Sequence, residues 1–269
     1  MPDPAPDSDL KRLLDAYDAQ LREGAEMVSM TSFDRAGPLW RGKEGGRGFV
    51  SYRSLDGLTG PALDALIADT VAHYAADPDI QTFEWKTRGH DAPADLPQRL
   101  STHGFQAQAV ETVMVGEAAL LAQPVPLPQG VTLRRIDDQP DPLPDVVRAA
   151  AAQEKAFGYG FGVGGYLRQI ERSPDLFELW VAEAAGEIVC IGQLGVVPGS
   201  DFAGLWGGGT LPEWRGKGIY RALTAARARS ALNRGVRYLH SDCTEYSRPI
   251  LERSGLRRVT TTTPYVWTR

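Results

Sequence analysis

The sequence predicts an α/β (α+β) fold made of two similar halves, and three observations carry that reading. Strand-like and helix-like stretches alternate along the whole of the 269 residues, a pattern of mixed layers rather than of a bundle or a sandwich. The proline-rich run AQPVPLPQG (Ala122–Gly130) interrupts both helix and ladder near the middle. On both sides of it a longer helix, a strand, a short helix and a closing strand follow one another. The spacing recurs as well: Gly104 precedes Met114 by ten positions, and Gly255 precedes Tyr265 by ten. The division that follows is residues 1–122, a linker at 123–130, and residues 131–269.

Each element has a local reason. Leu10, Leu13, Leu14, Tyr17 and Leu21 repeat at helical spacing after Asp7 and Ser8, either of which suits a helix start. Glycine-punctuated strand-like residues follow, ending in RGFVSYRSL (Arg47–Leu55). Leu63, Leu66, Ile67, Thr70 and Val71 share one face of a helix over Pro61–Tyr74, with Pro61 suited to its first turn. QTFEWKT reads as a strand, ADLPQRLSTHG as a short helix, and the stretch ending at ETVMVG as β-like. After the linker, VTLRRI opens the second half and a helix spans Leu143–Phe157. The glycine-rich FGYGFGVGG leads into a short helix near Tyr166–Glu171. LFELWVAEAAGEIVCIGQLGVVPG reads as a hairpin turning at Ala185–Glu187, and FAGLWGGGTL as a further strand. VRYLHSD is a strand, SRPILERSG a short helix, and RRVTTTTPYVWT closes the chain.

Composition excludes several classes of function. A net charge of -5 leaves no basic excess to neutralise nucleic-acid phosphates. The two cysteines, Cys190 and Cys243, form neither a disulfide framework nor a CxxC pair, so a reducing, cytoplasmic setting is expected. MPDPAPDSDL lacks the apolar core of a signal peptide. No uninterrupted apolar stretch approaches the ~20 residues that span a bilayer, so no membrane partner is expected. The four histidines are scattered along the chain, which argues against a metal site.

The chemistry concentrates in LPEWRGKGIYRAL (Leu211–Leu223). Arg215, Lys217 and Arg221 crowd the start of a helix, the end that its dipole already makes positive. Such an arrangement calls for an anion. A phosphate-binding loop of the G-x-x-x-x-G-K-[ST] type fails, because Leu211 and Gly218 stand where Gly and Ser/Thr are required. A dinucleotide fingerprint fails at Arg221, where it needs glycine. Arg215-Gly216-Lys217-Gly218-Ile219-Tyr220 instead resembles the R/Q-x-x-G-x-G/A loop of the GNAT superfamily of N-acetyltransferases, departing from it only at Tyr220. The order of elements over residues 130–269 resembles that family too.

The resemblance implies a mixed sheet that splays between its fourth and fifth strands to admit the pantetheine arm of acetyl-CoA. Gly209, Thr210 and Leu211 would face that arm with main-chain groups. Arg215, Gly216, Lys217, Gly218, Ile219 and Tyr220 would hold the pyrophosphate, glycine allowing close approach to unpaired N–H groups. At the corresponding place in the first half stands DGLTGPALDAL (Asp56–Leu66), without the loop and with Asp64 in the helix's early turns. The first half is therefore expected to be a degenerate copy without cofactor.

The family's usual tyrosine proton donor, four residues before the glycine of the last short helix, is replaced by Leu251. Tyr246 is the candidate substitute, on proximity along the chain. The strand FAGLWGGGTL carries no carboxylate base. Glu154, Glu183 and Asp242 are candidates by location, and a water relay is the other reading. Cys243 has no histidine adjacent in sequence and is expected to be an inert thiol. Tyr159 and Phe161, with Trp206, either line an acceptor pocket or fill the core around a tight glycine crossing. The activity implied is acetyl-CoA-dependent direct transfer to a small-molecule or peptide amine. The alternative is a non-catalytic CoA-binding sensor or scaffold, motivated by the missing donor and base. The oligomeric state is left open.

Overall fold

Leu13 and Tyr17 lie buried on the inner stripe of α1 (Pro6–Gln20), as their spacing requires. The computed structural model describes residues 6–158, 160–245 and 247–269. A meander of β1 (Ser32–Ala36), β2 (Leu39–Glu44) and β3 (Arg47–Ser51) follows, antiparallel throughout. α2 (Gly60–Ala75) then carries the chain back, so that β4 (Thr82–Arg88) runs parallel to β3. Leu63, Ile67 and Tyr74 on α2 pack against Phe83 and Trp85 of β4, forming the centre of the first core. α3 (Leu96–Thr102), β5 (Gln106–Ala107) and β6 (Glu111–Glu117) follow in chain order.

α4 (Ala118–Leu121) ends the first half in chain order, and β7 (Val131–Arg135) opens the second. α5 (Leu143–Phe157) spans the residues its sequence pattern predicts, and α6 (Val163–Arg172) follows the glycine-rich crossing. β8 (Phe177–Ala184), β9 (Glu187–Val196) and β10 (Phe202–Thr210) form an antiparallel meander flanked by β7. α7 (Ile219–Asn233) is the crossover to β11 (Tyr238–Cys243), which runs parallel to β10. α8 (Arg248–Arg253) and one long strand, β12 (Arg257–Thr268), end the chain. Each half thus consists of an antiparallel meander, a crossover helix and a parallel strand, the mixed sheet expected.

The two short helices α3 and α8 end in the same cap. Phe105 N–H donates to the Leu100 carbonyl and Leu256 N–H to the Leu251 carbonyl, both at 3.1 Å. The intervening Gly104 and Gly255 sit at φ 90° and 108°, a left-handed backbone that favours glycine at this position. The recurrence read from the spacing is therefore also a recurrence of backbone conformation.

The compact units do not follow chain order. One comprises Met1–Met114, Asp242–Arg248 and Arg258–Arg269; the other comprises Val115–Ser241 and Pro249–Arg257. The closing strand β12 pairs antiparallel with β4, from Thr262 opposite Arg88 to Thr268 opposite Thr82. Without it β4 would have a free edge, and an unpaired buried ladder is costly. In the other direction, α4 packs on α7, and Gly116 approaches Leu256 so closely that a Cβ there would fall 2.9 Å from its side chain.

Candidate functional site

The site in the second unit is built on an interrupted strand. β10 pairs with β11 in parallel register only from Phe202–Tyr238 to Gly204–His240. At the next rung the Ser241 hydroxyl, a side chain, donates to the Leu205 carbonyl at 3.0 Å. Beyond it, among the described residues, Trp206–Thr210 have no register with β11, while the other edge of β10 continues along β9 with a bulge between Trp206 and Gly209. The ladder between the two strands ends at this point.

Three glycines follow in the stretch beyond that register, and each is met by a side chain. A Cβ on Gly207 (φ 56°) would fall 2.9 Å from Gln153 Nε2 and closer still to Gln193. One on Gly208 would lie 2.7 Å from the Tyr220 ring, and one on Gly209 2.5 Å from the Phe157 ring. The rest of the expected arm contact is already structured. Leu211 N–H donates to the Val189 carbonyl and the Leu211 carbonyl accepts from Trp214 N–H, both at 2.9 Å. The Thr210 hydroxyl donates to Cys190 Sγ at 3.1 Å. Leu211 thus offers a buried side-chain wall rather than free main-chain groups.

A single 3-10 turn, Pro212–Trp214, leads to Arg215 in extended backbone, then to Gly216 at φ 75° and Gly218 at φ 81°. These are conformations L-residues other than glycine adopt only with strain. Nothing lies within 4 Å of a Cβ built on Gly216, so glycine is needed there for its backbone angle and not to relieve crowding. α7 starts at Ile219, without a side-chain cap and without an acidic residue in its first turn. Its leading N–H groups have no intrahelical partner by construction. Ile219 is buried among Val189, Cys190 and Leu223, and Tyr220 packs inward on Gly208. The departure from the usual loop pattern at Tyr220 is therefore accommodated by a glycine on the strand beneath.

The cations are held in specific places. Arg215 Nε donates to the Thr210 carbonyl and its Nη2 to the Ala156 carbonyl, both at 3.1 Å, so it braces the end of β10 to the end of α5. Lys217 Nζ stands 4.5 Å from the Trp214 ring centroid. Glu213 pairs with Lys155 at 3.0 Å. The backbone cradle and Lys217 suit a pyrophosphate. Arg215 suits one either as a strut for the turn or by rotating off its two carbonyls.

Of the residues expected either to line an acceptor pocket or to fill the core, Phe161 is half exposed, lies against Gly165, and stands 5.4 Å from the ring of Tyr166. Trp206 folds back over Gly204 and meets His240 edge to face at 5.1 Å. Tyr159 and the candidate donor Tyr246 lie outside the described residues. Leu251 is buried in the cap of α8, the same role Leu100 has in α3. Of the candidate bases, Glu183 is bonded to Arg134 and Arg148, and the hydrogen bond from Arg134 holds it below the usual carboxylate range. Asp242 is ion-paired with Lys86 at 2.6 Å, in the first unit. Glu154 is exposed on α5. Burial pushes both the Cys190 and Cys243 thiols up to about 11, which disfavours either as a nucleophile.

Residues 146–255 match the family model described as acetyltransferase (GNAT) family. These residues form a GNAT domain. No curated protein matches the chain by sequence. Among solved structures, a GCN5-related N-acetyltransferase from Kribbella flavida is similar, with TM-score 0.66 and 16% identity over 95% of this chain and 94% of its own. A GCN5-related N-acetyltransferase from Sphaerobacter thermophilus has TM-score 0.61 and 19% identity over 86% and 76%. A tandem GNAT protein from the clavulanic acid biosynthesis pathway has TM-score 0.60 and 14% identity over 98% and 95%. At these identities the likeness establishes the fold, and it extends well beyond the GNAT domain into the first half.

Sequence reasoning missed three buried polar residues of the GNAT domain: Gln153, Gln193 and Arg227. Arg227, fully buried on α7, donates from Nη1 to the Gln193 carbonyl at 2.9 Å and from Nη2 to the Thr224 hydroxyl at 3.1 Å. Gln153 carried a signal. It continues the buried stripe Val146, Ala149, Ala150 on α5, where an apolar residue is the rule. Among the described residues no helix is long and apolar enough to cross a membrane.

Proposed function

We propose that the protein is an acetyl-CoA-dependent N-acetyltransferase acting by direct transfer on a small-molecule or peptide amine, with one acyl-CoA site per chain, in the GNAT domain. The observation that carries the reading is the end of the β10–β11 register at Gly204, followed in one continuous stretch by a glycine turn at a helix start. That combination supplies an unpaired strand edge for an extended arm and backbone donors for an anion. In this reading Gly209, Thr210 and Leu211 line the arm, and Arg215, Gly216, Lys217, Gly218, Ile219 and Tyr220 form the pyrophosphate turn. Acyl-CoA, when bound, supplies the activated thioester.

The chain's own residues have simpler tasks. Trp206 and Phe161 shape the acceptor side, Arg215 and Lys217 neutralise charge at the turn, and the buried thiols stay protonated. Protonation of the leaving group falls to water or to Tyr246. Release of free thiol from acetyl-CoA against a panel of amines tests the reading, and calorimetry should give one CoA per chain. Two CoA per chain would make DGLTGPALDAL a second site. Binding without turnover on any amine would favour the second reading, a non-catalytic CoA sensor. A specific observation supports that alternative: the position of the family's donor holds Leu251, which is buried and spent on the α8 cap.

A further inference from the structure

Two glutamine side chains, 5% and 9% exposed, converge on the bulge of β10. Gln153 Oε1 accepts the Phe161 N–H at 2.8 Å, and its Nε2 reaches the Gly207 carbonyl at 3.5 Å. Gln193 Nε2 donates to the Tyr166 hydroxyl at 3.4 Å, and Tyr166 is the ring beside Phe161. Both amide groups crowd Gly207, whose φ of 56° places it at the turn of the bulge. Buried side-chain amides are retained only where their hydrogen bonds are met, since an unmet one costs about 1–3 kcal/mol. Here Gln153 ties the Phe161 loop before α6 to β10 beyond its register with β11, and Gln193 ties α6 to β9 beside it.

We propose that Gln153 and Gln193 are positioning residues that clamp Gly207 and couple the acceptor-side loop at Phe161 to the acyl-donor strand. The functional meaning rests on the acyltransferase reading, and the coupling itself belongs to the ligand-free protein. Displacement of the Gly207 segment withdraws the Gln153 amide and releases the Phe161 N–H. Ordering of that segment by a bound arm tightens the same contact. The acceptor wall is thereby set by the state of the donor site.

Residue-resolved amide exchange in the ligand-free protein tests the coupling. Gly207→Ala is expected to speed exchange of the Phe161 amide about tenfold, the scale of local opening, while the Val181 amide at the centre of β8 keeps its rate. Gln193→Leu, which leaves Gly207 in place, is expected to act in the same direction should Gly207→Ala loosen the whole unit. An unchanged Phe161 rate in either variant, with β8 intact, overturns the proposal. In a second arm, CoA is added. Wild-type Phe161 should slow further, and Gln153→Leu should lose that extra slowing while its CoA affinity stays within about threefold, so that coupling and binding separate. Persistence of the slowing in Gln153→Leu also overturns it. A wild-type protein that binds no CoA removes the acyltransferase reading and leaves the ligand-free arm to decide the clamp.

Discussion

The β3–β4 and β10–β11 crossovers are the same device used in two ways. In the first unit the parallel register covers Arg47–Val50, nearly the whole of β3, and the strand ends at Ser51. Around that end lies a network of paired charges. Arg88 donates to Glu26 at 2.7 Å and to the Tyr17 hydroxyl at 3.1 Å, Lys86 pairs with Asp242 at 2.6 Å, and the Ser51 hydroxyl bonds Glu26. In the second unit the register stops after Gly204, and the strand continues through three glycines into a turn with two positive-φ glycines. One crossover is closed by side-chain ion pairs, and in the other, among the described residues, Trp206–Thr210 continue without register to the parallel strand. A site made of backbone donors needs residues without side chains, whereas a strand end filled with charged groups offers an incoming anion no free donors.

The difference can be broken at several points. The largest effect is expected from cutting the chain at its linker. A 126–269 fragment lacks the α4 segment that packs on α7 and carries β12 without β4. It should give no cooperative unfolding transition by circular dichroism; a folded, CoA-binding fragment would show that the units are separable in chain order. Next, Arg88→Met removes the buried partner of the half-buried Glu26 and should cost about 3–5 kcal/mol in chemical denaturation. Its CoA affinity should be unchanged, since the network belongs to the unit without the turn.

Gly218→Val puts a β-branched residue at φ 81°, at about 1–2 kcal/mol of strain. It should weaken CoA by roughly a hundredfold or more, the loss of about 2.7 kcal/mol, as calorimetry would report. Arg215→Ala should weaken CoA by about 1–3 kcal/mol, the range of a charge-assisted hydrogen bond. An unchanged affinity would confine Arg215 to bracing Thr210 and Ala156.

The smallest effect is in pH dependence. For Glu26, burial pushes its pKa up, but Arg88 and Lys86 outweigh burial and hold it below the ordinary 4.5. A depressed carboxylate contributes stability above its unfolded value and loses it as pH falls through the folded one. The melting temperature should therefore drop below about pH 4.5, and Glu26→Gln should flatten that limb. An unaltered acid limb would show that Glu26 does not report on the network.

Local chemistry made much of this legible in advance. The ends of α5 at Leu143 and Phe157, the glycine-closed caps of α3 and α8, and the positive-φ glycine turn at Arg215–Gly218 follow from residues within a few positions of one another. Helical spacing, positive-φ glycine and unpaired helix N–H groups are short-range properties, so the sequence by itself determines them. It also determines the repeat, because ten-residue spacings survive in the chain whatever the partners are.

Partner choice is different. β12 belongs to the first unit because β4 supplies its ladder, and Lys86 finds Asp242 across 156 positions. The end of the β10 register at Gly204, the Gln153–Gln193 clamp and the burial of Leu251 likewise depend on which elements meet. No local pattern encodes them. They are settled by long-range pairing, where a buried edge or charge is stable only if a distant segment completes it, and only the tertiary structure decides which segment that is.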